Sequence, residues 1–521
     1  ALEWVESNEP LINPDDMDID EDFDEEAEVY NKYTIRSFGV SKEGTSVCLT
    51  ISNFTPFFYI RIPEVWKINN IKLFISNLIG MKGYYYGKPY SPLYKWGKHL
   101  IKEKCLIQRK KDFYGFSGEK EFKFLRLTFD NSEAMKKFTY AINSHNDPTN
   151  KARIAGVNFI IKLYESNVDS ILKFMHIKNI KPSGWVSAKN ISVLEDNSKF
   201  SRCQIEALAN WGDITCDSNN ESNAPILQAS FDIEVYSIDG SFPVPTIKEN
   251  CVTQIATAFK HFGQDDFYVK HLICLKECAP IDSPVDGVPI VVEWYLTEKE
   301  VLLAWRRLLN RMDPDILYTY NGDQFDCNYL NERAKITKCS EQFLDLSKLK
   351  NKSSVLLDKQ FSSSAYGTSN YKRLSIPGRL NFDLLIYIQR EYKENSYKLD
   401  DIAKKYLNQR KNEITVQEMF DFFASGDPEK IKILGEYCIV DTLLPQRLVD
   451  KMHILQNQIS MSNVTYVPFK YLVERGQSIK AFSQILRETR KAGYLVPCIR
   501  KESGESTESF VGATVLQPEV G

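Results

Sequence analysis

At 521 residues, 43% of them hydrophobic and 12% aromatic, the chain has material for two to four domains with packed cores. No apolar run approaches the roughly 18 residues of a membrane helix, and eleven cysteines, an odd number without any C-x-x-C, lead to the expectation of reduced thiols in an intracellular compartment. The formal net charge of −3 hides a division: ten acids lie between Asp15 and Glu28 without a Lys or Arg, leaving 66 basic against 59 acidic residues and a body of about +7.

Such a body suits a polyanionic partner, or serves solubility alone. In chain order, residues 1–29 are acidic and poor in core formers, and are expected to be a disordered tail. From Tyr33, the runs YTIRSFGV, SVCLTISNF and FFYIRI read as short strands. Between Tyr84 and Lys111 aromatics are interleaved with Lys and Arg, a mixture that stacks bases and holds phosphates, or forms an ordinary amphipathic surface. Asp213 to Ala224 is polar and reads as a linker.

From Pro225 the pattern becomes α/β. ILQASFDIEVYS is a strand on which Phe231, Ile233 and Val235 alternate with Asp232 and Glu234, so both acids point the same way. CVTQIATAF and FYVKHLICL read as neighbouring strands. TEKEVLLAWRRLLNRM opens with the capping box of Thr297 and Glu300 and stops at Asp313 and Pro314. ILYTY is a buried strand, and NGDQFDCNYLNERA turns into a helix. Residues 339–377 interrupt the pattern as an extended hairpin or loop. NFDLLIYIQREY resumes strand into helix, and the remainder is helical to about Lys491, with short strands around Tyr494 to Ile499 and Ala513 to Leu516.

Three acidic groups therefore fall in order: Asp232 with Glu234 on a strand, Asp326 at a helix start just past a strand end, and Tyr437 with Asp441 four residues apart on one helix face. Read singly, each is an acidic strand face, a helix cap or a helix surface. Together they offer four carboxylates and a phenol to a single sheet rim. Such a set can hold two Mg²⁺ or Mn²⁺ ions for phosphodiester hydrolysis. Asp232 would bridge the ions, Glu234 and Asp441 would complete the site of the attacking water, Asp326 would hold the second ion largely through water, and Tyr437 would orient the water. The six histidines are scattered and the eleven cysteines form no C-x-x-C, so neither a zinc site nor a disulfide framework is expected. No G-x-x-x-x-G-K-[ST] loop is present, which excludes a P-loop hydrolase.

FDIEVYS, YNGDQFD and YCIVD resemble the three exonuclease motifs of family B DNA polymerases, and similarity to the delta-type enzymes runs from about Tyr33 to Gly521. The first motif with the following DGSFPVP looks most like the delta-type enzymes of large DNA viruses. The resemblance implies a ribonuclease H-like 3′-5′ exonuclease domain, a mixed sheet flanked by helices, over 223–450, with 339–377 as a hairpin insertion. It implies a strand-rich α+β domain over 30–222, and over 451–521 helices that return to that domain and lead toward a palm. It carries over Asp232, Glu234, Asp326 and Asp441 as metal ligands and Tyr437 as the water-positioning residue, and it implies that Asn321 and Phe325 contact the 3′-terminal nucleotides. Asp383 is expected to be structural. The palm motifs of the family do not occur, so the expectation is a portion of a DNA-directed DNA polymerase without its nucleotidyl-transfer carboxylates. Implied partners are primer-template DNA, single-stranded 3′ ends, a sliding clamp and the remaining polymerase domains, in the nucleus or at a viral replication site. The alternatives are a primer-template binding module and a free-standing repair exonuclease.

Overall fold

The computed structural model describes residues 1–9, 31–81, 84–85, 88–89, 93–150, 152–217, 220, 222–282, 287–350, 352–363, 367–409 and 414–499. They divide into two compact units: one of residues 1–55, 130–132 and 169–487, the other of 56–129, 133–168 and the chain from Glu488 on.

The first unit is built on a six-stranded mixed sheet ordered Ile290–Tyr295, Val269–Leu275, Val252–His261, Leu227–Val235, Ile316–Thr319, Leu380–Asp383. Leu227–Val235 is antiparallel to Val252–His261 and parallel to Ile316–Thr319. The sheet is covered on both faces, which is why Val252–His261 is buried along nearly its whole length. On one face lies helix Glu298–Met312, started by the Thr297 and Glu300 capping box and ended by left-handed Asp313. Its Val301, Leu302, Trp305 and Leu309 pack with Phe231, Ile233, Ile255 and Phe259 in one core. The Trp305 ring lies 4.8 Å from that of Phe231, and its Nε1 donates to Thr257 Oγ1 at 3.1 Å.

The opposite face takes the long helix Pro428–Lys451, capped by Asp427 and carrying Pro445 in its interior. Polar side chains stitch it to the sheet. Gln254 Nε2 donates to the Ile431 carbonyl at 2.8 Å, Ser230 Oγ to the Thr442 carbonyl at 2.6 Å, and Gln446 Nε2 to Ser230 Oγ at 2.7 Å and to the Ala258 carbonyl at 2.8 Å. The close approach depends on Gly435, where a Cβ would stand 2.4 Å from Leu272 Cδ2 and 3.2 Å from Ile281 Cδ1. Gly435→Ala is therefore expected to destabilise the protein by about 1–3 kcal/mol through overpacking, read as a lowered thermal midpoint. An unchanged midpoint would mean that the helix does not need its glycine.

Residues Val355–Ser363 and Gly367–Ser375 pair as an antiparallel hairpin. A second sheet in this unit orders Glu3–Glu9, Lys32–Val40, Ser46–Ser52, Ile205–Asn210 and Ser192–Val193. Helices after residue 451 return to this strand-rich part: Ser183 N donates to Asn463 Oδ1 at 2.9 Å, His176 Nε2 meets Ser483 Oγ at 2.9 Å, and Arg475 pairs with Asp169 at 2.8 Å.

The other unit runs strand Phe57–Arg61, helix Ile68–Ile79, strands Leu106–Asp112 and Glu121–Thr128, most of helix Ser132–Asn146, then strand Leu163–Tyr164. These four strands form an antiparallel sheet in the order Leu106–Asp112, Glu121–Thr128, Phe57–Arg61, Leu163–Tyr164.

Several expectations differ from what is found. The tail expected over 1–29 begins as strand Glu3–Glu9, because Leu2 and Trp4 are buried and the segment pairs with Lys32–Val40. The acidic run Asp15 to Glu28 lies outside the described residues, as do residues 500–521 with the strand expected at Ala513 to Leu516. Within the expected linker from Asp213, Ile214–Cys216 is a strand against Val186–Ala188, since Ile214 is buried. The division into units does not follow the expected boundary at residue 222, because residues 1–55 and 169–222 join the unit that holds the six-stranded sheet.

Candidate active site

The strand Leu227–Val235 alternates as its sequence requires: Phe231 and Ile233 enter the core, while Asp232 and Glu234 are half-buried toward the long helix. One ligand atom each from Asp232, Glu234 and Cys438 lie within 4.8 Å of one another. Cys438 was not a candidate on sequence. It is buried on the long helix, with its Sγ 3.7 Å from the Asp232 carbonyl. Burial, and then the charges of Glu234, Asp232 and Asp441, push its thiol well above the usual range. It therefore stands in the cluster as a neutral thiol, which leaves the carboxylate oxygens of Asp232 and Glu234 as the hard donors, the kind that magnesium and manganese prefer.

Asp326 opens helix Asp326–Ile336 and is 4% exposed. Burial foremost, and then the charge of Asp232, raises its carboxyl well above the ordinary carboxylate value, against the pull of the N–H groups of Asp326 and Ile233. Two acids from separate motifs are thus held close enough to repel each other, a repulsion that a cation between them would remove. This fits a divalent metal site.

The loop before Asp326 is tightly determined. Asn321 has a left-handed φ of 72°, and a Cβ on Gly322 would stand 2.5 Å from the Thr319 side chain. Asp383 accepts from the N–H groups of Asn321 at 2.9 Å, Asp323 at 3.0 Å and Leu385 at 3.0 Å, so it anchors this loop and caps its own helix. This is the structural part expected of it. Asp323 is fully buried and pairs with Arg373 of the hairpin at 2.7 Å. Phe325 is half-buried against Tyr329 at 5.4 Å and Phe242 at 5.6 Å, and Phe242 is itself 74% exposed.

Tyr437 and Asp441 lie one turn apart on the long helix, Tyr437 half-buried and Asp441 buried. Asp232, Glu234 and Asp441 all act electrostatically on Cys438, and Asp232 acts in the same way on Asp326. Asn321 and Phe325 lie on the loop that leads into Asp326. The features that sequence reading did not single out are Cys438, Phe242 and the Asp323–Arg373 pair. Only Phe242 left a signal, in the apolar residue of DGSFPVP after the first motif.

Residues 161–402 match the model of the family B DNA polymerase exonuclease domain. The DNA polymerase delta catalytic subunit of Glycine max is 34% identical over 490 residues, covering 94% of this chain and 43% of that protein. A DNA polymerase of Paramecium bursaria Chlorella virus NY2A is 28% identical over 495 residues, covering 94% of this chain and 49% of that protein. The chain thus spans less than half the length of these curated relatives. The family B DNA polymerase of the archaeon Pyrobaculum calidifontis superposes with a TM-score of 0.59 at 20% identity, over 91% of this chain and 50% of that one, a likeness of fold. The motifs, the sheet that carries them and these similarities agree: residues 161–402 match the exonuclease domain of family B DNA polymerases, and the chain is similar along 94% of its length to DNA polymerase delta catalytic subunits.

Proposed function

We propose that this chain is a metal-dependent 3′-to-5′ exonuclease that removes terminal nucleotides from DNA, as the proofreading part of a replicative polymerase. What supports the reading is the cluster of Asp232 and Glu234 with Cys438 of the Asp441-bearing helix, together with the action of the Asp232 charge on buried Asp326. Asp232, Glu234, Asp326 and Asp441 would hold two Mg²⁺ or Mn²⁺ ions, which when bound ease deprotonation of the attacking water and stabilise charge on the leaving 3′ oxygen.

The chain's own residues supply position. A strand covered on both faces fixes Asp232 and Glu234, and the Asp383-anchored loop fixes Asp326. The Tyr437 phenol, one turn from Asp441, orients the water by hydrogen bonding. Asn321 offers an amide to the terminal nucleotide, and Phe325, backed by Tyr329 and Phe242, offers a ring for its base. A paired end must melt to reach the site, so single strands and frayed mismatches are the preferred substrates. The partners we propose are primer-template DNA, the remaining polymerase domains and a sliding clamp. The place of action we propose is the nucleus or a viral replication site; no described helix is long and apolar enough to cross a membrane.

The test is Mg²⁺-dependent shortening of a labelled single strand by the purified chain, compared with the Asp232→Ala, Glu234→Ala double variant. The parent is expected to shorten the strand, and the variant to lose roughly a thousandfold or more in rate. Equal activity in the two proteins would overturn the proposal. No hydrolysis by either, with salt-sensitive binding kept by both, would leave a primer-template binding module in its place.

A further inference from the structure

We propose that Arg333 is a positioning residue for substrate binding: it holds loop 238–250 as a fixed platform beside the carboxylate site, and so sets how tightly that site takes a single-stranded 3′ end. The assignment rests on the exonuclease reading and adds to it a buried residue that touches neither metal nor substrate.

The loop joins the strand that carries Asp232 and Glu234 to its antiparallel neighbour Val252–His261. Its backbone runs as turns and bends. The apolar side chains face outward, for Ile238, Phe242, Val244 and Ile247 are all exposed. Among the described residues 242–249 only Pro243 is buried, so hydrophobic burial gives this segment little hold of its own. At its tip the Phe242 ring lies 5.6 Å from that of Phe325, the residue before Asp326. A loop turned apolar side out next to a reactive centre is useful only if it keeps its place.

One buried side chain supplies the hold. Arg333 lies about two turns beyond Asp326 on helix Asp326–Ile336. All five of its N–H groups donate. Nη1 gives to the carbonyls of Pro245 at 3.0 Å and Ile247 at 2.6 Å, and Nη2 to that of Lys248 at 2.8 Å and to Glu298 Oε2 at 2.7 Å. Nε gives to Glu298 Oε1 at 2.8 Å, and the same oxygen accepts from the Val252 N–H at 2.8 Å, which ties the fork to the strand that follows the loop. One turn nearer Asp326, the Tyr329 hydroxyl donates to the Asn250 carbonyl at 3.0 Å, and Asn250 Oδ1 accepts from the Ile238 N–H at 3.2 Å. The middle and both ends of the loop are thus fixed to the helix that Asp326 opens. A buried ion pair is a poor source of net stability, because desolvation offsets its attraction. What the planar guanidinium does here is geometric: its donors stand at fixed angles and set three loop carbonyls at once, a task beyond the point charge of a lysine.

The test is steady-state hydrolysis of a labelled oligothymidylate in Mg²⁺ by the full chain, as the parent, Arg333→Lys, Phe242→Ala and the double variant. Arg333→Lys keeps a cation beside Glu298 and loses the fork, and is expected to raise KM about tenfold with kcat within about twofold of the parent, the mark of lost uniform binding. Phe242→Ala is expected to raise KM about tenfold as well, through the lost ring. Because Arg333 acts through the loop, the double variant is expected to match the more affected single variant and not the roughly hundredfold product. Amide hydrogen exchange in Arg333→Lys is expected to quicken over 238–250 and to stay parental in the strands Leu227–Val235 and Val252–His261. Glu298→Gln, which weakens the fork from its other side, is expected to show the same KM split and serves where Arg333→Lys does not fold. A parental KM in the fork variants, a multiplicative double variant, or exchange that quickens in the strands as much as in the loop overturns the assignment while leaving the exonuclease reading in place. A parent that hydrolyses nothing overturns both.

Discussion

Asp326→Asn is expected to slow hydrolysis about a thousandfold and, in EDTA at pH 8, to raise the thermal midpoint. The first effect follows if Asp326 holds a cation, whose loss forfeits several kcal/mol of transition-state charge stabilisation. The second follows from burial, which raises the folded carboxyl well above its ordinary value, with the Asp232 charge adding to it. A group shifted upward stabilises the fold below its unfolded value, near 4, and that contribution is lost as pH rises through the folded value. As pH rises above the unfolded value the metal-free parent therefore loses a contribution that Asn does not lose, and the two proteins should converge toward pH 4. Added Mg²⁺ should reverse the order, because a cation that binds only the folded parent stabilises it by mass action. Melting curves with and without Mg²⁺ decide the matter. A variant that melts lower than the parent in EDTA at pH 8 would mark Asp326 as a helix cap.

Arg373→Met is expected to cost about 3–5 kcal/mol, the penalty of breaking a buried ion pair from one side. Asp323 is fully buried, and burial lifts its carboxyl up to about 7 even with Arg373 against it. Without the guanidinium the acid is left among Asp383, Asn381 and the core, in the loop that presents Asn321 and Phe325 and leads into Asp326. Adding Asp323→Asn to Arg373→Met should recover most of the stability, since it removes the stranded charge. Denaturant unfolding of the two single variants and the double one measures the coupling. A single-variant loss below about 1 kcal/mol would show that the pair is not what ties the hairpin to the loop.

The motifs were legible because their chemistry is local. FDIEVYS announces a strand with paired acids by alternation alone, and the helix from Glu298 to Met312 carries its own start in Thr297 and Glu300 and its stop in Asp313. Cys438 was not legible: its approach to the Asp232 carbonyl is made by the depth at which Gly435 lets the long helix settle on the sheet, a tertiary distance. The Asp323–Arg373 pair joins residues 50 apart, and nothing in either neighbourhood names the other. The first strand was hidden by the acids that follow it, since two buried residues, Leu2 and Trp4, carry its packing. The unit boundaries were hidden for a related reason: the chain leaves the first unit and re-enters it twice, and composition does not change at those crossings.

Pro445 lies four residues beyond Asp441 in the long helix and has no amide hydrogen to give to the Asp441 carbonyl. The rung missing from the ladder is therefore the one at a metal-ligand candidate. The bond is absent from the turn 441–445, which begins at Asp441, while Asp232 and Glu234 sit on a strand covered on both faces. Any adjustment of the spacing between the two carboxylate-bearing elements is therefore expected on the side of the helix and not of the strand.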